Sequence, residues 1–459
     1  GGGGGGGGGG EGAAGAGHAE AALAAWGGRF LEGLRSVGGW ELERWHDLEQ
    51  ARLEARLAGA VLQGARSRQE EGAHDQALAL LRQARGCLPG ELELAEALER
   101  QGTSFSVGTG WDASTVSFTC TAERLPDTLG LLAEVVREPA FPPDEVERIR
   151  RQRLAALAQR LSDPSDLADD EADRTLYPEG HPWRRHVTGT PAAVEALAVE
   201  EVSAWAEGHL RPGGGGLVLA GDLELDEAQL LLERHFGDWQ GAPPPPPRLP
   251  EVRPGRERPV VVKDRPGAVQ TELRILHPGP PRRSEDYHAL VVANAILGGS
   301  FTSRLNLNLR ERHGFTYGVR TGWTFRRRGG EFALSTAVGT EVTVDALREA
   351  MGEIRGFLAD GPTEEETARA RDYLAGVFPL RMETAAQLAS RVAELLALDL
   401  PADTHHRYRD GIREVTRDQA HAAMRMHLDA ARARIVLVAD AGAVQEGIEG
   451  LGLGPVEVR

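Results

Sequence analysis

The strongest constraint on this chain is that part of it occurs twice. Residues 102–111, GTSFSVGTGW, match residues 314–323, GFTYGVRTGW, at an offset of 212, sharing Gly, Val, Thr, Gly and Trp. Further on, His209–Asp222 (HLRPGGGGLVLAGD) matches His427–Asp440 (HLDAARARIVLVAD) at an offset of 218. The extra residues of the second copy are accounted for by a segment such as FRRRGG, residues 325–330.

Between these anchors the hydrophobic periods predict the same order of elements in both copies. The first copy reads as a strand near 103–120, a helix near 126–138 and a second helix opening at Pro143. The second reads as strands near 315–324 and 331–338, then a helix with Leu347, Ala350, Met351, Ile354 and Leu358 on one face, then a helix opening at Pro362. Only the second copy has an earlier portion. PVVVKD and VQTELRILHPG read as strands and SEDYHALVVANAILGG as a buried helix, whereas residues 46–101 show little strand pattern. The expectation is an α+β protein of two homologous halves, the first lacking its opening strands. Its boundaries read as a Gly-rich disordered start over 1–17, a helical segment over 18–90, a truncated half over 91–242, a Pro-rich linker over 243–257 and a second half over 258–459. The linker's proline run favours an extended spacer.

Composition removes several function classes. A net charge of −17 and the lack of any long Lys/Arg block disfavour nucleic acid; the longest basic run, Arg326–Arg328, reads as a turn. Two cysteines, Cys87 and Cys120, cannot build a disulfide framework or a cysteine zinc cluster and read as core residues. No apolar run is long enough for a membrane span and no signal peptide opens the chain, so it reads as soluble, cytoplasmic by default with the periplasm as alternative.

Two residues stand out against the repeat. Arg310 and Tyr317 fall opposite Leu98 and Phe105 in the first copy, although the surrounding Gly, Val, Thr and Trp are kept. The polar pair is an addition to a shared scaffold. A period of two places Tyr317 on one strand face with Phe315, Val319, Thr321 and Trp323, after a break at Gly314. An arginine fork and a phenolic hydroxyl that converge can donate to a peptide carbonyl or a developing oxyanion; they hold, and cannot by themselves hydrolyse.

LGGSFTSRLNLNLRERHGFTYGVRTGW resembles the carboxy-terminal half of the pitrilysin/insulinase (peptidase M16-like) metallopeptidases, and LYPEGHPWRRHVTGTPAAVEAL at 176–197 resembles their amino-terminal half. The resemblance covers about residues 91–459 and implies a clamshell of two αβ-roll halves. In active relatives it implies a His-x-x-Glu-His motif and a later Glu holding zinc, with Arg and Tyr from the other half binding substrate. Arg310 and Tyr317 match the second motif. The first has no match: near 74–78 the sequence is HDQAL, with His74 present but Ala77 and Leu78 where Glu and His belong. Where the later Glu is expected stand Ala155 and Ala156; Asp144, Glu145 and Glu147 lie in that helix's first turns and suit its dipole. His46 and Glu49 end in Gln50 and make a weak substitute, while His209, His427, His405 and His406 read as structural. Upstream, EEGAHDQALALLRQA is similar to a tetratricopeptide-type helix, and the stretch 18–88 resembles the helical domain of bacterial transcriptional activators.

The resemblance therefore implies a bacterial, non-catalytic subunit, not an enzyme on its own, that binds no cofactor itself. It would bind extended peptide through Arg310 and Tyr317, with Gly298 and Gly299 letting a backbone approach, and would pair in a heterodimer with a zinc-bearing subunit. The alternatives are a protein-binding scaffold built from a helical module and a degenerate peptidase fold, and a gene wrongly joined within the first 90 residues.

Overall fold

The computed structural model describes residues 90–244, 248–250, 252 and 259–459, together with 60, 61 and 68. The Gly-rich start, nearly all of the expected helical segment, His46, Glu49, His74, Cys87 and most of the proline run lie outside the described residues. The chain divides into two units at Ser104/Phe105. In the first, α1 spans Gly90–Arg100. Everything below concerns the second.

The second unit is an α+β structure whose order follows the repeat. A hairpin, β1 (Ser106–Thr109) and β2 (Ser114–Ser117), leads to α2 (Leu125–Arg137), α3 (Pro143–Ser162), α4 (Pro164–Leu176), α5 (Pro191–Ala196), α6 (Val199–His209) and α7 (Leu225–Phe236). Then come β3 (Val260–Asp264), β4 (Gln270–Gly279), α8 (Tyr287–Asn294), β5 (Arg320–Arg326) and β6 (Gly329–Gly339). Helices α9 (Thr343–Asp360), α10 (Glu364–Val377), α11 (Ala385–Ala397), α12 (Thr404–Glu414) and α13 (Arg417–His427) follow, with β7 (Arg434–Ala439), α14 (Ala441–Gly450) and β8 (Val456–Val458) closing the chain. Helices α9 and α13 begin 218 residues after α2 and α6, the offset read from the His–Asp anchors.

The copies differ in their sheets. In the second, β4 is the central strand of a six-stranded sheet ordered β5-β6-β4-β7-β3-β8, antiparallel to both β6 and β7, while β3 runs parallel to β7 and β8. The first has no counterpart of β4 among the described residues. Its hairpin therefore stays two-stranded and mostly exposed, and residues 216–221, matching β7, form no strand. Their apolar side chains pack locally instead: Leu217 lies against Leu129, Leu132 and Leu231 of α2 and α7.

The second copy's sheet is covered on both faces, which explains why its inner strands read as continuous apolar runs. On one face Val260, Val262, Leu273, Ile275, Ile435 and Leu437 join the large core formed with α8, α9, α10 and α13. The intervening Val261, Leu276 and Val436 pack against Ala172 and Leu176 of α4 and the adjoining Tyr177 and Trp183. A fully buried side chain of this size contributes about 1.5–3 kcal/mol, so cladding by first-copy residues is a substantial part of the sheet's stability.

Polar clamps orient that cladding. Arg274, on β4 and almost fully buried, donates to Asp169 Oδ1 at 2.7 Å, to Ser165 Oγ at 2.8 Å and to Glu272 Oε2 at 2.9 Å. Asp163 caps α4 by accepting from the backbone N–H of Ser165 and Asp166. At the other end the Tyr177 hydroxyl donates to Glu331, and Arg326 donates to Glu331 at 2.9 Å and to the Tyr177 oxygen at 3.1 Å. Arg326, read from sequence as part of a basic turn, is thus the partly buried end of β5 and lies over the Trp183 ring at 4.5 Å. Burial and the neighbouring Glu331 push the Asp173 carboxyl up to about 7. Cys120 is half-buried rather than a core residue.

Arg274→Ala leaves Glu272 and Asp169 unpaired at this junction and is expected to cost about 3 kcal/mol in urea unfolding. Arg348→Ala, which removes a pair exposed on both sides, is expected to cost about 0.5 kcal/mol or less. Equal effects from the two changes would contradict the clamp.

Candidate functional site

The four residues singled out from sequence lie between α8 and β5. Helix α8 passes into a π-helical turn, Ala295–Gly299; residues 300–303 loop out, the chain turns helical again at Arg304, and a second π-helical turn, Asn306–Arg312, carries Arg310 near its end. Gly314 stops that turn at φ +65°, a conformation costly for residues with a Cβ. Its N–H donates to the Arg310 carbonyl at 3.1 Å and the Phe315 N–H to that of Leu309 at 2.9 Å, closing the helical end.

Arg310 is about a quarter exposed. Its guanidinium lies 3.9 Å from the Phe301 ring centroid and 3.3 Å from Glu311 Oε1. Phe301 is itself 69% exposed, so this stack lies at the surface.

Tyr317 is 99% exposed, and the strand-face expectation for it is corrected. Strand β5 begins only at Arg320, although Val319 and Thr321 are buried as the period predicts. The reason is a tight turn at Thr316, whose hydroxyl accepts from the Gly318 N–H at 3.1 Å and sits 2.9 Å from Thr336 Oγ1 on β6. That turn takes Tyr317 off the sheet and into solvent.

Gly298 and Gly299 have different settings. Gly298 is buried, and a Cβ there would come within 2.6 Å of the Thr321 side chain and 2.9 Å of Leu305 Cδ1. Its lack of a side chain lets the π-helical turn close on β5, a packing role within the protein. Gly299 is exposed, and a Cβ there would meet Asn294 Nδ2 at 2.5 Å.

Asn306 fixes the whole arrangement and was missed in the sequence. Buried, it donates to the carbonyls of Ser300 at 3.1 Å and Val319 at 2.9 Å and accepts from the Val319 N–H at 2.9 Å. It thus ties the loop bearing Phe301 to the end of the segment bearing Tyr317. Arg304 anchors the same loop from outside, donating from Nε and Nη2 to both Glu366 oxygens at 2.7 Å. That pairing holds the Glu366 carboxyl down at about 2. A buried asparagine amid polar residues has no distinctive sequence spacing; only its partners reveal it.

Among the described residues no group of three or more His, Cys, Asp or Glu is placed to hold a metal ion. His427 instead pairs with Asp286 at 2.8 Å, His405 contacts the Arg391 carbonyl at 2.7 Å, and His209 stacks on Trp205. No helix among the described residues is long and apolar enough to cross a membrane.

Gly298→Ala is expected to destabilise the protein by about 1–3 kcal/mol through overpacking. Adding Thr321→Ala should recover part of that loss in the same unfolding assay. A Gly298→Ala chain as stable as the original would show that the two segments do not meet closely.

The sequence pattern described as "Insulinase (Peptidase family M16)" matches residues 88–181, and that of the "Peptidase M16 inactive domain" matches residues 196–374. A Helicobacter pylori protein named non-peptidase homolog YmxG is 24% identical over 348 residues, covering 74% of this chain and 78% of that protein. An uncharacterized zinc protease of Mycobacterium tuberculosis is 27% identical over 306 residues, covering 66% of this chain and 69% of that one. The crystal structure of a peptidase M16 inactive domain from Pseudomonas fluorescens superposes with a TM-score of 0.66 at 27% identity, over 75% of this chain and 82% of the other. A Helicobacter pylori protease structure gives 0.67 at 15% identity, over 76% and 84%, a likeness of fold. By sequence pattern and by fold alike, the chain belongs to the insulinase (peptidase M16) family.

Proposed function

We propose that this chain is a non-catalytic member of its family that binds extended peptide and complements a zinc-bearing family partner in proteolysis. The observation that carries the reading is the Arg310–Tyr317 pair: two donors added to a repeated scaffold, one on a surface stack and the other wholly exposed. Such exposure has no packing explanation, and Tyr317 is a large amphipathic side chain that a bound peptide would cover.

Each residue has a definite task in this reading. The Arg310 fork, held over Phe301 and beside Glu311, presents N–H groups to a peptide carbonyl. Tyr317 donates its O–H to the same strand of substrate. Phe301, at 69% exposure, and Leu307, at 49%, offer apolar surface for side chains. The Thr316 turn and the Asn306 clip prevent the two donors from drifting apart, which matters because a displaced donor contributes little to a transition state. Zinc would supply a polarised carbonyl and an activated water. Among the described residues no cluster is placed to hold it, and His74 has no Glu or His at the matching spacing, so the metal is assigned to the partner.

Reconstitution with a zinc-bearing family member tests the reading, with hydrolysis of a quenched-fluorescent peptide as the signal. Arg310→Ala combined with Tyr317→Phe is expected to lower the supported rate about 100-fold or more, with the melting temperature unchanged. Unaltered hydrolysis would defeat the proposal.

A further inference from the structure

An open cleft of about 630 Å³ lies where β4 leaves the sheet and β7 enters it. A volume of this order suits a ligand or a peptide segment. Its apolar surface comes from Leu358, Leu428 and Met426, and three arginines face it: Arg355 from α9, Arg425 from the last turn of α13 and Arg432 from the loop before β7. One carboxylate, Asp429, stands among them and pairs with Arg432 at 3.4 Å.

Arg355 and Arg425 form no ion pair or hydrogen bond among the described residues. Arg274, Arg304 and Arg326, by contrast, all have carboxylate partners. Capping does not explain them. Helices α9 and α13 both end here and favour cations, yet neither arginine donates to a terminal carbonyl, and Arg355 precedes the end of α9 at Asp360 by more than a turn.

The repeat supplies an internal control. At the 218 offset, Arg425 corresponds to Glu207, Arg432 to Gly214 and Met426 to Gly208. Arg355 corresponds to Arg137, which is occupied by Asp238 at 2.9 Å and by the His235 carbonyl. The first copy thus has an arginine only at the Arg355 position, where it is paired; Arg425 and Arg432 are particular to the second copy. At the back of the cleft, His277 is fixed by the Pro278 carbonyl at 2.7 Å and the Asp429 N–H, and burial lowers its basicity.

We infer that this cleft binds an acidic peptide segment of a protein partner. Two carboxylates would meet the Arg355 and Arg425 forks side-on, and an intervening apolar side chain would rest on Leu358, Leu428 and the 74%-exposed Met426. The inference is independent of the role proposed for Arg310 and Tyr317.

The test is fluorescence anisotropy on the full chain with a short labelled peptide alternating glutamate and leucine. Binding is expected to weaken with salt and to fall about tenfold or more in the Arg355→Glu/Arg425→Glu variant. Both arginines are exposed, and an unchanged melting temperature would confirm that the double variant folds. Three results would overturn the inference: equal binding of a glutamine-leucine peptide, unchanged affinity after charge reversal, or displacement by inorganic phosphate beyond its effect on ionic strength, which marks a small-anion site.

Discussion

The structure depends on covering both faces of one sheet. Strands β3 and β7 are apolar on both sides, and helices from their own copy can reach only one face. Helix α4 of the first copy closes the other, and Arg274 and the Tyr177–Glu331–Arg326 cluster hold it there. The first copy is therefore integral to the second: among the described residues it builds no large sheet, but its helices complete the sheet of its neighbour. A buried charge cluster is a poor source of net stability, yet a good way of fixing one docking geometry.

That geometry sets the functional loop. With β4 and β6 held in register, Thr336 of β6 meets Thr316 and fixes the turn that exposes Tyr317. Thr321 of β5 meets Gly298, and Asn306 ties the loop before Arg310 to Val319. Arg310 and Tyr317 thus project from a segment that is rigid at both ends. The same repeat comparison that separates them from the scaffold also separates Arg425 and Arg432 of the second cleft, whereas Arg355 has a paired counterpart in Arg137.

Much of this was legible in the sequence. Helix order and the 218-residue offset follow from hydrophobic period and self-comparison, because those patterns directly encode burial. What was not legible depends on contacts between distant residues. Period two places Tyr317 with Val319 and Thr321 but has no knowledge of the Thr316–Thr336 contact that turns the chain before the strand starts. The π-helical turns carry no compositional mark, and Asn306 looks like any other loop asparagine. Arg326 reads as a solvated turn residue until Tyr177, far away in sequence, is brought against it. Gly298 was read as room for a ligand backbone, whereas the atom it makes room for belongs to Thr321.

The central claim is that this chain contributes donors, not metal, to peptide chemistry. The most direct measurement is the zinc content of the purified full chain, with hydrolysis of a quenched-fluorescent peptide mixture followed on the same sample. The account predicts no stoichiometric zinc and no cleavage by the chain alone. About one zinc per chain, with cleavage abolished by a chelator, would contradict it and would place a complete metal site within this sequence.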